Sequence, residues 1–358
     1  MIYNTFTASN SYKGFHSLFN SFIREENSMQ VYLIKGGPGC GKSTFMKNIV
    51  SHCKNNGFTV EQVLCSSDPD SLDGISIHEK SIKIIDATPP HSFDMKYPGA
   101  VDSLVDLSRF WDNRKLIDNK KKIVDLTDEI SKRYSSVYSL LNVAGILMTS
   151  NINDADDIIN IERVNEYISK HMKQNGVSPI KSKPKHTARF LSAINCKGVI
   201  TLNDTINSLC NEALIIEDDT VHVDTIMKKI LYYLHKSGYN TITFYNPLCP
   251  KKIDHIIVPQ IQYGFFTSNK IFDISLNDNI KCKKIESNRF ICKEKYDNIK
   301  SIYSHKKKTI SKILTESCDK LKNIKILHDE LEEYYINAMN YEKMNNFTQQ
   351  FINSVFCC

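Results

Sequence analysis

No run in this chain approaches the ~18 uninterrupted apolar residues that a membrane-spanning helix requires; Val143 to Met148 is short and follows Asn142. Met1 to Asn10 lacks the basic-then-apolar layout of a secretory signal, so no membrane association and a cytoplasmic location are expected. The 11 cysteines are odd in number and include no Cys-x-x-Cys pair, which argues against a disulfide framework and against a zinc ribbon. Cys357 and Cys358 do not form a prenylation box, whose cysteine lies further from the terminus. Among the 11 histidines there is no His-Glu-x-x-His or comparable ligand spacing, so each is expected on the surface or in packing rather than on a metal.

What is present describes a folded chain of two domains. Its 358 residues exceed what one core usually serves, and 17 Tyr and 17 Phe supply large surfaces to bury. The net charge of +6 is unevenly placed: Lys281 to Lys312 carries eleven Lys or Arg against Glu286, Glu294 and Asp297. Such a stretch could track phosphates, but no base-stacking aromatic pattern accompanies it, so a solvated helical face is expected and nucleic acid is not the favoured partner.

Val31 to Lys35 is a short β-prone run that stops at Gly36, and from Lys42 the sequence turns helical, with Phe45, Met46, Ile49 and Val50 on one face. Asn55, Asn56 and Gly57 end that helix, and Thr59 to Cys65 and Ile82 to Asp86 read as further strands. Strands alternating with helices imply a parallel α/β sheet. Pro98 and Gly99 are read as opening a helix through Val101, Leu104, Val105 and Trp111, followed by a long charged helix over Arg114 to Tyr134. Leu140 to Met148 and Ile158 to Met172 add helices, and Ser178 to Lys185 reads as a linker.

The chain repeats itself. A shift of 181 lays Tyr32 to Thr88 on Ala213 to Asn269 without a gap, matching Thr44, Met46, Gly57, Pro69 and Asp73 to Thr225, Met227, Gly238, Pro250 and Asp254. Phe6 and Lys13-Gly14 match Phe190 and Lys197-Gly198, and Trp111-Asp112-Asn113 is matched to Tyr296-Asp297-Asn298. Two copies of one α/β unit follow, residues 1–185 with a helical insertion at about 100–175, and residues 186–358 with a helical hairpin at about 294–350.

Gly36-Gly37-Pro38-Gly39-Cys40-Gly41-Lys42-Ser43-Thr44 satisfies G-x-x-x-x-G-K-[ST] between a strand and a helix, the context that motif requires. Glycines let backbone N–H groups wrap an anion, and the helix N-terminus adds positive potential. Lys42 is expected to reach the β- and γ-phosphates of ATP, Ser43 to ligate Mg²⁺, and Thr44 to help at the α-phosphate. Asp86, ending an apolar strand, is the candidate to hold Mg²⁺, with a turn-closing Asp before Pro89 as the alternative. In the cluster Ser66, Ser67, Asp68, Asp70 and Asp73, Asp68 or Asp73 could orient the nucleophile, although turn formation beside Pro69 is the better account and the recurrence of Asp73 as Asp254 favours a structural role. Cys40 is either redox-sensitive or simply small. His91 and Arg109 are weaker candidates, and Arg109, Arg114 and Arg133 could belong to a basic lid.

These segments, with Ser71-Leu72-Asp73-Gly74, Ile84 to His91 and Tyr97-Pro98-Gly99-Ala100, resemble a family of tandem P-loop ATPases of spore-forming Gram-positive bacteria. The resemblance implies a P-loop NTPase fold in two tandem copies, nucleotide binding and a bacterial cytoplasm, and no particular pathway. Members commonly carry a phosphate loop in the second copy; here the matching segment is Glu217-Asp218-Asp219-Thr220-Val221-His222-Val223-Asp224-Thr225. Its carboxylates should repel an anion and instead satisfy the helix N-terminus, so one ATP per chain is expected. The expected activity is Mg-dependent ATP hydrolysis coupled to movement; a small-molecule or nucleotide kinase and an ATP-regulated nucleic-acid or protein-partner module are the alternatives.

Overall fold

A computed structural model describes residues 1–25, 29–90, 93–155, 158–218, 223–297 and 300–356, the side chains of 151–155 excepted. The first repeat runs β1 Ile2–Thr5, β2 Ala8–Ser11, β3 Gly14–Ser17, α1 Phe19–Ile23, β4 Gln30–Lys35, α2 Lys42–Asn55, β5 Val60–Leu64, β6 Leu72–Ile77, β7 Ile82–Asp86 and β8 Asp102–Asp106. Helices α3 Asn113–Asp118, α4 Lys120–Ala155 and α5 Ile161–Gln174 follow. The second repeat has the same series: β9 His186–Arg189, β10 Ser192–Asn195, β11 Gly198–Thr201, α6 Asn203–Leu209, β12 Glu212–Glu217, α7 Val223–Lys236, β13 Thr241–Tyr245, β14 Ile253–Val258, β15 Tyr263–Ser268 and β16 Lys281–Glu286. It closes with α8 Lys293–Asp297, α9 Lys300–Ile336 and α10 Tyr341–Phe356.

Each repeat builds a six-stranded sheet, ordered β1-β5-β6-β7-β4-β8 and β9-β13-β14-β15-β12-β16, so equivalent strands hold equivalent places. The sheets are mixed, which corrects the expectation of parallel ones: β6 runs antiparallel to both β5 and β7. The reason is connection length. Only residues 65–71 join β5 to β6 and 78–81 join β6 to β7, and a parallel crossover needs a dozen or more. β6 also buries all six residues, so it shows no alternation to betray it, and Asp73 lies within it rather than in a loop. The parallel pairs are β1 with β5, β7 with β4 and β4 with β8.

The helix expected from Pro98 onward is instead the edge strand β8. Gly99 takes φ +73 in the turn before it, and the Asp102 carboxylate accepts from the Lys96 and Tyr97 amides and from Arg24. Pairing with β4 and this anchoring outweigh a helical spacing of only four residues. Leu104 is consequently exposed rather than on a buried helical face.

The repeats meet about a pseudo-twofold centre. Phe6 and Phe190 exchange backbone hydrogen bonds of 3.0 and 2.8 Å, and both rings are fully buried. Thr5 and Arg189, which precede them, both converge on Glu61: Thr5 Oγ1 donates to it at 2.6 Å, and Arg189 donates through Nε at 2.5 Å and Nη2 at 2.9 Å. Arg189 Nη2 also lies 2.9 Å from Glu25, which pairs with Lys83.

The long helices α4 and α9 run antiparallel, Lys122 lying over Tyr334 at one end and Lys306 donating to Ser150 at the other. Val137, Leu141, Ala144 and Met148 pack with Ile310, Leu314, Cys318 and Leu321, each set spaced by three or four residues along one face of its helix. At ~1.5 Å per residue α4 is about 54 Å long, enough to carry the chain from one sheet to the other. Val164, Ile168 and Met172 of α5 bury against Ile226 and Ile230 of α7, in the second repeat. Reciprocally, Phe351 and Ile352 of α10 pack with Phe45 and Ile49 of α2, in the first. Each fully buried side chain of this kind contributes roughly 1.5–3 kcal/mol, so the exchanged helices tie the repeats together. Among the described residues no helix is long and apolar enough to cross a membrane.

The equivalence of Trp111 with Tyr296 is out of phase. Trp111 bridges Met339, and Ile291 bridges Ile159 in the same way, so the counterpart of Trp111 is Ile291. The basic stretch is not one helical face: Lys281, Lys283 and Lys284 sit on β16, an edge strand that charge protects from pairing with another chain, Arg289 lies in the turn after it, Lys293 and Lys295 lie on α8, and on α9 Lys306 and Lys307 are tied to Ser150 and to the Asp218 carbonyl.

Candidate functional site

β4 ends at Lys35 and α2 begins at Lys42, so residues 36–41 form a tight turn between a central strand and a 14-residue helix. The carboxyl ends of β7 and β8 flank it, because both run parallel to β4, and this is the edge at which open α/β sheets bind ligands. Gly39 and Gly41 hold φ +68 and +86, which L side chains rarely adopt. They are needed for space as well: a methyl at Gly39 would lie 2.8 Å from the Glu332 carbonyl, and one at Gly41 2.7 Å from Met344 Sδ.

Lys42 Nζ is folded into the turn, donating to the Gly36 and Gly37 carbonyls at 3.0 and 2.8 Å, and it stands 3.6 Å from Asp86 Oδ2. Asp86 Oδ1 accepts from the Thr88 amide at 2.9 Å and its hydroxyl at 2.5 Å. Burial pushes the Asp86 carboxyl above its ordinary range, with the Lys42 ammonium working in the opposite direction. Asp86 therefore closes a local turn with one oxygen, the alternative weighed for it, and faces the loop lysine with the other. Ser43 Oγ accepts from the Leu72 amide at 3.0 Å, so its hydroxyl hydrogen remains available to an acceptor. Cys40 is buried and burial raises its thiol, which leaves it a packing residue rather than a reactive thiolate. Pro38 is half-buried in the turn and Thr44 is exposed on the first turn of α2.

Asp68 follows β5 at the same edge, but its carboxylate serves the turn, accepting from the Asp70 amide at 3.3 Å, and pairs with Lys325 of α9 at 3.5 Å. Arg109 lies over the rings of Phe110 and Phe347, Arg114 is exposed, and Arg133 pairs with Glu129 one turn away on α4. His91 falls outside the described residues.

The residues that the sequence alone did not bring to this site come from the far end of the chain. The corner between α9 and α10 sits against the loop, with Tyr341 Oη donating to the Gly39 carbonyl at 2.8 Å. A methyl at Gly37 would lie 2.9 Å from the Tyr335 ring and 3.4 Å from that of Trp111, whose centroids are 5.5 Å apart. Trp111 Nε1 is buried and has no hydrogen-bond partner among the described residues, an open donor beside a loop of donors. Roughly 300 residues separate Tyr341 from Gly39, so no local pattern announces the contact.

The second repeat keeps the frame and loses these groups. Val223, Asp224, Thr267 and Ile291 stand where the first repeat has Lys42, Ser43, Asp86 and Trp111. Asp224 accepts from the Ile253 amide at 2.8 Å, the counterpart of the bond from Leu72 to Ser43, and pairs with Lys228 at 2.6 Å; it lies in the first turn of α7, where its charge suits the positive end of the helix. Asp218 is buried beside Lys252 at 3.8 Å, so its charge is compensated, and Glu217 is exposed. Asp219, Thr220, Val221 and His222 lie outside the described residues.

Residues 15–78, from β3 through β6, match the family Nephrocystin 3, N-terminal. No curated protein and no solved structure matches the chain.

Proposed function

We propose that the turn from Gly36 to Thr44 is the phosphate loop of a P-loop NTPase and binds one Mg-nucleoside triphosphate, ATP in the first instance, for hydrolysis coupled to movement of the helices over it. The observation that carries this reading is the pair Lys42 and Asp86, 3.6 Å apart at the carboxyl edge of the sheet, set against Val223 and Thr267 at the same places in the second repeat. A structural pair would be needed equally in both copies; a ligand-binding pair is needed only where the ligand binds. The resemblance to tandem ATPases of spore-forming bacteria and the match of residues 15–78 both span this loop.

In this reading the loop amides and Lys42 hold the β- and γ-phosphates, and Lys42 exchanges the Gly36 and Gly37 carbonyls for phosphate oxygens. Ser43 and Asp86 hold Mg²⁺, whose charge favours the ionised carboxylate that burial disfavours. The cation supplies charge neutralisation of the phosphoryl group as the bond to the leaving group breaks. The corner of α9 and α10 rests on the loop, so a bound polyphosphate and that corner share one surface, and coupling passes to the second repeat.

Isothermal titration with Mg-ATP, ADP and GTP tests the reading directly. Lys42→Ala should weaken Mg-ATP binding about tenfold to a hundredfold, because charge-assisted phosphate contacts contribute roughly 1.5–3 kcal/mol, while circular dichroism stays unchanged. Unaltered affinity in the folded variant would remove the loop from the site. Trp111 is the one tryptophan in the chain and stands against the loop beside Tyr335, so nucleotide binding should change its fluorescence. A titration that releases heat on ATP addition yet leaves that emission constant would contradict a shared surface between nucleotide and helix corner.

A further inference from the structure

At the edge of the second sheet equivalent to the loop, the structure holds a cavity of about 190 Å³. Its interior is apolar where Met148 of α4, Phe272 and Ile310 of α9 meet, the last two almost fully buried. Lys270 and Lys308 are exposed and Lys307 half-buried, so cations ring the entrance. Lys252, 3% exposed, also lines it, and its nearest carboxylate oxygens are 3.5 Å away on Asp254 and 3.8 Å on Asp218. Asp218 lines the cavity as well, and with Asp254 it compensates this buried ammonium, so the positive excess of the site comes from Lys270, Lys307 and Lys308 at the entrance.

Size and charge together define what fits. Clefts that bury drug-sized ligands run from ~300 to 1,000 Å³, and an apolar cavity of ~150 Å³ holds a benzene ring, so this one takes a single ring and not a nucleoside triphosphate. An apolar body seats against Met148, Phe272 and Ile310, and an anionic head faces the lysines.

We propose that the second repeat, having lost the groups of the first repeat's loop, carries its own ligand site in this cavity: a site for a small anion with an apolar body about one ring in size, its head a carboxylate or a phosphate monoester. The site is built from both repeats, since Met148 belongs to the first and the remaining lining to the second. Its occupant would therefore bear on the α4–α9 seam, independently of nucleotide at the loop.

Benzoate and phenyl phosphate serve as probes, with benzamide as the neutral isostere, titrated into the full chain and followed by calorimetry. At least one of the two anions should bind, and benzamide at least tenfold more weakly; which anion binds assigns the head group. Two variants on the exposed rim leave the core intact: Lys308→Glu should reduce anion affinity at least tenfold, and Ser311→Trp should abolish it by filling the entrance. Lys42→Ala should leave anion binding unchanged, which separates this site from the loop. Binding of neither anion, equal binding of benzamide, insensitivity to both rim variants, or loss of binding in Lys42→Ala would each overturn the proposal.

Discussion

Replacing Arg189 by methionine is expected to destabilise the chain by about 3–5 kcal/mol, because it strands buried carboxylates without a partner. Arg189 is 1% exposed and Glu61 3%, and the guanidinium makes a two-pronged contact with Glu61 while also reaching Glu25. The pair joins β9 of one sheet to β5 of the other next to the Phe6 and Phe190 bridge, so its loss should loosen the joint between repeats before it disturbs either sheet. Adding Glu61→Leu should recover much of the loss, since removing both charges relieves the uncompensated one. Urea unfolding of the two variants measures this; a single variant within ~1 kcal/mol of the parent would show that the network does not hold the joint.

The same network gives the protein a pH dependence. Burial acts to raise the Glu61 carboxyl, but the charge and hydrogen bonds of Arg189 and the Thr5 hydroxyl prevail and hold it at about 2, against an ordinary value of 4.5. A carboxylate depressed in the folded state contributes stability that is complete above its unfolded value and disappears as pH falls through the folded one. Stability on the order of 3 kcal/mol should therefore be lost between about pH 4.5 and 2, and the Arg189→Met/Glu61→Leu variant should show a flatter decline over that window.

Asp86→Asn is expected to lower ATP turnover on the order of a hundredfold or more while changing nucleotide affinity far less. Asparagine can still accept from the Thr88 amide and hydroxyl, so the turn after β7 should survive. What it cannot do is balance the charge of a divalent cation or of Lys42 3.6 Å away. Phosphate release under saturating Mg-ATP measures the effect. Parental turnover in this variant would transfer the metal role elsewhere, and Asp68→Asn would then be compared, although the contact of Asp68 with Lys325 predicts for it a defect in the seating of α9.

The glycine turn, α2 and strands β4, β5 and β7 were legible because their signals are local: an apolar run stopping at Gly36, a helical face of Phe45, Met46 and Ile49, and Gly57 at the helix end. The repeat was legible because α2 and α7 begin at Lys42 and Val223, 181 positions apart, with the punctuation in phase. β6 was hidden by complete burial, and β8 by apolar spacing that suits a helix until an edge strand claims it. Matching Trp111-Asp112-Asn113 to Tyr296-Asp297-Asn298 followed an aromatic residue before Asp-Asn, whereas backbone pairing assigns Trp111 an aliphatic counterpart, Ile291. The helix exchange was out of reach for a different reason: periodicity identifies the apolar face of α5 or α10 and says nothing of which sheet receives it. Tyr335, Tyr341 and Met344 reach the loop only through that exchange.

A single nucleotide is expected to bind, in the first repeat, under helices supplied by the second. Equilibrium dialysis with labelled ATP, followed by photo-crosslinking and peptide mapping, tests it most directly. One equivalent should bind per chain, with label within residues 36–44 and in the corner near Tyr335 and Tyr341, and Lys42→Ala should reduce both. Two equivalents per chain, or label within residues 217–225, would contradict it.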